Sequence, residues 1–232
     1  MNLFYTPDIE TETYSFNEEE SAHCVKVLRL RKDDIVFLTN GKGVLYKAKL
    51  TDDNKKCCTV QIVETTIDYK KKNYQLHVAI APTKNIDRIE WFLEKATEIG
   101  IHEITPIITK HSERKNIQAE RLNKIITAAM KQSLQAYRPI LNQTCSFTDF
   151  MVKDFFCKKY ICHYHSNNKY LKEVYTKNKN VLILIGPEGD FDNNELIKAK
   201  QQHFQEVNIG DDRYRTETAA LMTCHTIHLI NQ

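Results

Sequence analysis

The chain has 232 residues, of which 41% are hydrophobic and 27% charged, and its formal net charge at pH 7 is +3. Six glycines and five prolines are too few for collagen-like or low-complexity structure, so the composition indicates a folded protein with a substantial core. No apolar run approaches the ~20 residues that cross a membrane, and the N-terminus lacks the basic and apolar regions of a signal peptide. We therefore expect a soluble, cytoplasmic protein.

The seven cysteines form an odd set without a C-x-x-C pair, which argues against a disulfide framework and against a zinc ribbon. Cys162, His163 and His165 could form a metal site. They alternate along a predicted strand, however, so the three side chains would not all point to one face. We expect reduced thiols and no bound metal.

Basic residues gather in three segments, residues 26–32, 70–72 and 110–124. Local basic patches of this kind suit contact with the phosphates of a nucleic acid. Solvated surface charge explains any single segment equally well. The charge distribution therefore favours a nucleic-acid partner without proving one.

The first 72 residues carry the signals of β structure, with runs rich in β-branched and aromatic side chains. These runs are residues 35–40, 44–50 and 57–64. Turn signals at Asn40-Gly41 and at residues 51–56 separate them. The pattern predicts a small barrel or sandwich, interrupted by one short helix for which Asn17 is the expected N-cap.

After residue 72 the pattern changes to alternating strands and helices, which predicts an α/β domain with a mostly parallel sheet. The predicted strands are residues 76–81, 104–109, 160–164, 181–185 and 205–209. The predicted helices are residues 84–100, 118–137 and 169–177, one that begins at Asn193, and a last one that reaches the C-terminus. Gly100 and Pro139 are the stop signals of the first two helices.

The stretch LILIGPEGDFDNNE, residues 182–195, joins a predicted buried strand to a glycine-containing turn. In open α/β sheets ligands bind beyond the carboxyl ends of strands, and Gly186 and Gly189 permit backbone conformations and close ligand approach that a Cβ atom blocks. Asp192 and Glu195 match a capping box, so a helix should follow at once. The spacing fits neither a phosphate loop nor a dinucleotide fingerprint, so ATP and NAD are poor candidates. A tight turn without a ligand explains GPEG alone equally well.

The stretch IGDDRYRTETAA, residues 209–220, has a similar layout. A predicted strand ends at Ile209, a polar loop follows, and Thr216 or Thr218 begins a helix. A well-capped helix start accounts for part of this pattern. Arg215 and Glu217 beside a strand-end loop are costly choices for capping alone, which favours a ligand site.

Together these two stretches resemble the ribosomal small-subunit RNA methyltransferases of the RsmE type, in the SPOUT class of S-adenosylmethionine-dependent enzymes. Three further segments are similar to the family's motifs: HCVKVLRLRKDD (residues 23–34), KATEIGIHEITPIITKHSERK (residues 95–115) and AAMKQS (residues 128–133). The resemblance therefore covers essentially the whole chain.

This resemblance implies a PUA-like, RNA-binding β-barrel in residues 1–72 and a SPOUT methyltransferase domain in residues 73–232. The second domain would be an α/β domain whose end is threaded into a deep trefoil knot, a rare exception to unthreaded topology. The resemblance also implies a homodimer, and methylation of N3 of one uridine in the decoding region of 16S ribosomal RNA. The substrate would be that RNA or the small ribosomal subunit.

Carried over by position, the resemblance also implies site residues. It places the methyl donor, S-adenosyl-L-methionine, among Ile185, Gly186, Pro187, Glu188, Gly189, Ile209, Gly210, Tyr214, Arg215, Thr216 and Thr218. We hypothesise that Arg215 stabilises negative charge developing on a uracil carbonyl, while Glu217 or Glu188 accepts the N3 proton. The alternative that Glu217 has a structural role, in which it holds its loop in place, is equally open. The candidates for RNA phosphate contact are Arg29, Arg31, Lys32, Arg114 and Lys115, with packing inside the barrel as the alternative for Arg29.

Several positions depart from the family pattern. They are Asp190 in place of a glycine, Lys131 in place of a glutamate, Gln135 in place of an arginine, and Asp212 and Tyr214 in the second stretch. Aspartate tolerates left-handed backbone geometry, so the glycine turn should survive. Two alternatives stay open: a non-catalytic RNA-binding protein that keeps the barrel, and a methyltransferase of the same class that acts on transfer RNA or another ribosomal site.

Overall fold

The computed structural model describes residues 1–165 and 167–232. Its contacts divide the chain into two compact units, residues 1–71 with 130–138 and residues 72–129 with 139–232. The division falls beside the expected boundary between residues 72 and 73. The return of residues 130–138 to the first unit was not foreseen.

The first unit contains a five-stranded sheet. Its strands are β1 (Leu3–Tyr5), β2 (Thr13–Ser15), β3 (Ile35–Thr39), β4 (Leu45–Asp52) and β5 (Thr59–Thr66). They are ordered β1-β3-β4-β5-β2, with β1 parallel to β3 and the other pairs antiparallel. The three predicted β runs are confirmed. Strands β1 and β2 were missed because three residues are too few to show a period-two pattern.

A short helix packs into the core of this sheet. Asn17 caps α1 (Glu18–Ala22) as predicted, and its side chain accepts a hydrogen bond from the backbone N–H of Glu20 at 2.8 Å. A π-helical turn follows directly, and its residues Cys24 and Val25 are buried against the β-strand core. Two local signals, a cap and an apolar pair, therefore suffice to dock this segment.

Residues 130–138 are held in the first unit by polar and packing contacts. The Lys131 ammonium lies 2.7 Å from Glu20 Oε1 and 5.7 Å from the centre of the Phe4 ring. The carbonyl of Ala136 accepts hydrogen bonds from Thr39 Oγ1 at 3.2 Å and from the Gly43 N–H at 2.9 Å. The departure at Lys131 is thus accommodated by a neighbouring carboxylate within this unit.

The second unit is a parallel sheet with helices on both faces. Its strands are β6 (Leu76–Ile80), β7 (Glu103–Ile108), β8 (Ile140–Leu141), β9 (Cys145–Ser146), β10 (Lys158–Cys162), β11 (Val181–Ile185) and β12 (Gln205–Val207). Its helices are α2 (Ile86–Ile99), α3 (Ala119–Gln132, whose last residues belong to the first unit), α4 (Phe147–Met151), α5 (Leu171–Val174), α6 (Asn193–Gln201) and α7 (Thr216–Asn231). The strand order is β12-β10-β11-β6-β7-β8, with β9 also beside β7, and each pair is parallel. The predicted α/β architecture is confirmed.

Strand β11 shows how the sheet is buried. All five of its residues are buried, as expected for a central parallel strand covered on both faces. Ile183 and Ile185 pack in the cluster that includes buried residues of α2 and α7. Leu182 and Leu184 pack on the opposite face with α4 and α6. Helices on both sides leave only the ends of the strands open to a ligand.

Helix α2 follows its predicted signals closely. Asn85 caps it and accepts a hydrogen bond from the Asp87 N–H at 3.1 Å, while Gly100 ends it in the left-handed region at φ 87°. Lys72 donates hydrogen bonds to the last carbonyls, those of Ile99 and Gly100. Burial lowers the pKa of Lys72 to about 8. These interactions fix both ends of α2, which begins shortly after strand β6 ends.

Several predicted boundaries are wrong, including those of the helix at residues 169–177, which spans only Leu171–Val174. Helix α3 ends at Gln132 rather than near residue 137, because Leu134 adopts a left-handed backbone at φ 55° that a helix cannot contain. Strand β10 ends at Cys162, so the supposed alternation does not extend to His163 and His165. Strand β12 ends at Val207, and the side chain of the next residue hydrogen-bonds the backbone of His165 instead.

The knot predicted from the resemblance stays a prediction.

Among the described residues, no helix has both the length and the apolar character that a membrane crossing requires.

Candidate functional site

A cavity of about 740 Å³ lies at the carboxyl ends of three adjacent parallel strands of the second unit. Residues 162–164 after β10, 185–190 after β11 and 207–216 after β12 supply most of its lining. Arg88 of α2 and Ala219 of α7 complete it. Its volume falls in the range of roughly 300–1,000 Å³ that is typical of small-molecule sites.

Most of the predicted donor residues lie around this cavity. The lining includes Ile185, Gly186, Pro187, Glu188, Gly189, Ile209, Gly210, Tyr214, Arg215 and Thr216. Thr218, on the first turn of α7, does not line it, and neither does Glu217. The parallel register of the sheet therefore brings together the two loops that the sequence singled out.

The glycines of the first loop pack closely against neighbouring side chains. Neither Gly186 nor Gly189 has a positive φ. A Cβ atom at Gly186 would lie 3.1 Å from the Phe191 ring, and one at Gly189 would lie 3.2 Å from Cβ of His111. These positions therefore do not use the left-handed backbone freedom of glycine, and a Cβ atom at either would crowd a neighbouring side chain; close approach of a ligand stays a prediction.

The second loop folds back on itself. A Cβ atom at Gly210 would lie 2.5 Å from the Tyr214 hydroxyl, so the phenol ring packs directly on the glycine backbone. Asp211 in the same loop accepts a hydrogen bond from the Tyr170 hydroxyl, at the start of α5. These contacts hold one wall of the cavity without help from a ligand.

Asp190 is the departure from the family's glycine, and the structure gives it partners. Its φ of 59° is left-handed, which confirms that aspartate supports the turn. One carboxylate oxygen accepts a hydrogen bond from the Phe191 N–H at 2.7 Å, and the other lies 2.8 Å from Nδ1 of His163. On its other side, His111 Nδ1 lies 3.0 Å from the Asp190 carbonyl. His163, considered in the sequence only as a metal ligand, is thus the partner of this carboxylate.

The first turn of α7 ties the two loops together. Arg215 is its N-cap, with an extended backbone, and helix α7 begins at Thr216. The buried Thr216 hydroxyl donates a hydrogen bond to the carbonyl of Gly186 at 3.1 Å. The end of one loop is thereby fixed to the beginning of the other.

The three candidate catalytic residues have different surroundings. Arg215 is exposed, lines the cavity, and its side chain makes no hydrogen bond within residues 1–165 and 167–232. Glu188 also lines the cavity and accepts a hydrogen bond from the Lys84 N–H at 3.2 Å. Glu217 is only 7% exposed, and its Oε1 atom lies 3.7 Å from Nε of Arg88. Its Oε2 atom is buried and has no partner among the described residues. Glu188 therefore faces the cavity, whereas Glu217 lies behind it.

Arg88 is a lining residue from outside the two predicted loops, and the sequence reasoning missed it. It lies in the predicted helix of residues 84–100, and helix periodicity gives no reason to single it out. The available signal was its place in the first turn of a helix that starts just after β6, at the same sheet edge as the two loops.

The thiol of Cys162 lines the cavity, but it is not a nucleophile. Burial raises its pKa to about 12, so it stays protonated at neutral pH, and its sulfur lies 3.8 Å from the Thr223 hydroxyl. In the part of the chain that the structure describes, no three metal-binding side chains form a cluster.

The basic residues proposed for RNA contact are mostly accessible. Arg29, Arg31 and Lys32 are exposed on the first unit, and Lys115 is exposed on the second. The alternative that Arg29 packs inside the barrel is therefore wrong. Arg29 adopts a left-handed backbone at φ 57°, which places it in a turn.

Arg114 differs because much of its guanidinium is already used. Its Nε atom donates hydrogen bonds to the carbonyls of Thr83 and Lys84, both at 3.2 Å, and Nη2 donates to the Lys84 carbonyl at 2.8 Å. Arg114 therefore braces the segment between β6 and α2.

Comparison with known proteins gives a consistent assignment. Residues 70–228 match the model of a family described as RNA methyltransferase domain, and residues 16–63 match an RNA methyltransferase PUA domain. A curated relative from Rickettsia conorii, named Ribosomal RNA small subunit methyltransferase E, is 27% identical over 95% of this chain and 91% of its own. A protein of the same name from Bacillus subtilis is 25% identical over 94% of this chain and 90% of its own.

Solved structures agree over the whole chain. A probable rRNA-methyltransferase from Porphyromonas gingivalis is 36% identical, with a TM-score of 0.93 over 100% of this chain and 98% of its own. Ribosomal RNA small subunit methyltransferase E from Neisseria gonorrhoeae, solved with S-adenosyl methionine bound, has the same fold at 24% identity, with a TM-score of 0.89 over 100% of this chain and 98% of its own. The predicted combination of a PUA-like domain with a SPOUT-type α/β domain is confirmed. The chain belongs to the RNA methyltransferase domain family.

Proposed function

We propose that this chain transfers a methyl group from S-adenosyl-L-methionine to N3 of one uridine in the decoding region of 16S ribosomal RNA. The observation that carries the proposal is the strand-end cavity, which is lined by both of the motifs that resemble this family. The curated relatives, named for the small ribosomal subunit, support the substrate class. The base, the homodimer and the cytoplasmic location follow from the resemblance described above.

The cavity suits this donor in both shape and chemistry. Ile185, Val207, Ile209 and Ala219 give it an apolar wall for an adenine ring. Four carboxylate residues, Glu188, Asp190, Asp211 and Asp212, also line it and suit a ligand that carries a sulfonium and an ammonium charge. When bound, the donor supplies an electrophilic methyl group.

The chain's own residues have three tasks in the reaction. The fixed loops hold the reacting groups in line, which supplies much of the rate. Arg215, exposed in the cavity and free of other hydrogen bonds among the described residues, stabilises negative charge on a uracil carbonyl. Glu188 accepts the N3 proton, because it lines the cavity and Glu217 does not.

The glutamine variants of Glu188 and Glu217 distinguish the roles of the two carboxylates. We expect Glu188→Gln to lower the single-turnover rate by about 10²-fold or more and to change the shape of the pH–rate profile. Glu217→Gln should keep the wild-type shape of the pH–rate profile. Unchanged profiles and rates for both variants would rule out carboxylate catalysis.

The function itself is tested with purified protein, isotopically labelled S-adenosylmethionine and small ribosomal subunits from a strain that lacks the gene. We expect one N3-methyluridine per 16S RNA, in a region where the base is unpaired or extruded, since pairing hides the N3 edge. Naked 16S RNA and transfer RNA are the parallel substrates. Transfer only to transfer RNA would contradict the ribosomal assignment, and binding without transfer to any RNA would indicate a non-catalytic protein.

A further inference from the structure

Arg88 lies where two cavities of the second unit meet. It lines the strand-end cavity, and it also lines a neighbouring cavity of about 400 Å³ formed with Lys84, Asn85, Glu113 and Glu188. Arg88 and Glu188 line both cavities, so a ligand that reaches from one into the other would lie close to this arginine. The position is therefore suited to recognising a group that the wall of a single cavity would not contact.

The structure holds Arg88 in a defined orientation. Its helix, α2, is capped at Asn85 and packs against α7, which carries the buried Glu217. The Nε atom of Arg88 lies 3.7 Å from Glu217 Oε1, an ion-pair distance without a hydrogen bond, so the buried carboxylate attracts this side of the guanidinium. A buried carboxylate without a cation would be costly, so this pairing is hard to exchange.

The outer end of the same guanidinium remains available. Within residues 1–165 and 167–232, Nη1 and Nη2 of Arg88 make no hydrogen bond, and the side chain is 34% exposed. Of the other charges nearby, Lys84 Nζ lies 2.9 Å from Glu113 Oε2, and the Glu188 carboxylate accepts one hydrogen bond from the Lys84 N–H. The two terminal nitrogens form a planar fork, the geometry that binds carboxylate and phosphate oxygens in pairs.

We propose that Arg88, oriented by Glu217, is an oxyanion-binding residue at the junction of the two cavities. The oxyanion is either the carboxylate at the amino-acid end of the methyl donor or a phosphodiester of the target RNA, since both present paired oxygens to the fork. The inference rests on the proposed function, because it takes the strand-end cavity as the donor site. It makes Glu217 a positioning residue that acts through Arg88.

Two ligands that differ only at the amino-acid end identify the first source. S-adenosylhomocysteine carries the carboxylate, whereas 5′-methylthioadenosine lacks the amino-acid end. If the donor supplies the oxyanion, Arg88→Ala should weaken S-adenosylhomocysteine binding by about tenfold or more in calorimetry, since hydrogen bonds to charged groups have this strength. Binding of 5′-methylthioadenosine should be unchanged.

RNA titrations identify the second source. If a phosphodiester supplies the oxyanion, Arg88→Ala should weaken binding of a 16S fragment and lower the slope of log affinity against log salt by about 0.9. Both adenosine ligands should then bind as in wild type. Either pattern supports the inference and names the oxyanion.

A matched arginine provides the control. Arg121 joins α3 to α2 through Glu90, to which its Nη2 atom donates a hydrogen bond at 2.8 Å, but it lines a different cavity. Arg121→Ala should leave all three affinities unchanged. Arg88→Lys keeps a cation beside Glu217 but loses the fork, so it tests the inference even if Arg88→Ala fails to fold.

The outcomes separate this inference from the proposed function. If both Arg88 variants melt like wild type and bind all three ligands with wild-type affinity, the inference is overturned and Arg88 only clasps α2 to α7. If the wild-type protein itself binds neither the adenosine ligands nor the RNA, the proposed function fails, and the inference fails with it.

Discussion

Replacing Arg215 with alanine is expected to lower the rate of methyl transfer at saturating donor by about 10²–10³-fold, the usual cost of removing a donor that stabilises a developing oxyanion. Arg215 is the N-cap of α7, at the end of the loop that lines the cavity. Its guanidinium has no hydrogen-bond partner in the described part of the chain, so little of its charge is committed to structure. Single-turnover assays with labelled donor measure the effect.

Arg213 is the matched control for this experiment. It is also exposed and lines the same cavity two residues earlier, so Arg213→Ala removes the same charge from the same loop. We expect its transfer rate to stay within a few-fold of wild type. If Arg215→Ala and Arg213→Ala lose activity equally, general charge attraction explains Arg215 better than stabilisation of a particular oxygen.

Acidification is expected to destabilise the second unit between about pH 6.5 and pH 4, through the buried His77 and the half-buried His102. Burial lowers the pKa of His77 to about 4, and nearby Glu103 only partly opposes this. Burial also lowers the pKa of His102 to about 4, assisted by the charge of Lys72. The backbone N–H of Leu76 donates to His102 Nδ1 at 3.2 Å, so that nitrogen carries no proton in the folded protein.

The direction of this stability change follows from the protonation of the histidines in the unfolded and folded states. An unfolded histidine binds its proton near pH 6.5, whereas these folded histidines do so only near pH 4. As pH falls through this window, the unfolded chain binds protons that the folded chain does not bind, so the free energy of unfolding decreases. Above the window neither state is protonated and the histidines contribute nothing. Each histidine contributes a loss on the order of 3 kcal/mol by pH 4.

Near-isosteric variants isolate this effect. His77→Gln can keep the hydrogen bond between His77 Nε2 and Thr105, and His102→Asn can still accept from the Leu76 N–H. We expect the double variant to lose much less stability than wild type between pH 7 and pH 4 in denaturant titrations. His225→Gln, at an exposed position of α7, is the control. Equal acid sensitivity of wild type and double variant would contradict the assignment.

Local signals predicted most of the architecture. The buried run of β11, the Asn85 and Gly100 ends of α2, and the capping box of Asp192 with Glu195 are each decided by residues close together in the chain. The two loops of the cavity were also predictable, because both follow strands of one parallel sheet. These local signals do not indicate which residues far apart in the chain will come into contact.

Several features that sequence reasoning missed depend on contacts between residues far apart in the chain. The return of residues 130–138 to the first unit depends on contacts with Glu20 and Thr39, about a hundred positions earlier. The pairing of His163 with Asp190 and that of Arg88 with Glu217 each join loops or helices from different parts of the sheet. Two departures from the family pattern, Lys131 and Asp190, are matched by a charged or ionisable partner. A substitution that looks disruptive in the sequence is therefore compensated in the fold.

The central claim is methylation of N3 on one uridine of 16S ribosomal RNA, and mapping that base in the cell tests it most directly. N3 methylation blocks the pairing edge of the base and stops reverse transcriptase. Deleting the gene in its host should remove a single stop in the decoding region. The wild-type gene should restore that stop, whereas the Arg215→Ala gene should not. An unchanged pattern of stops after deletion would contradict the account.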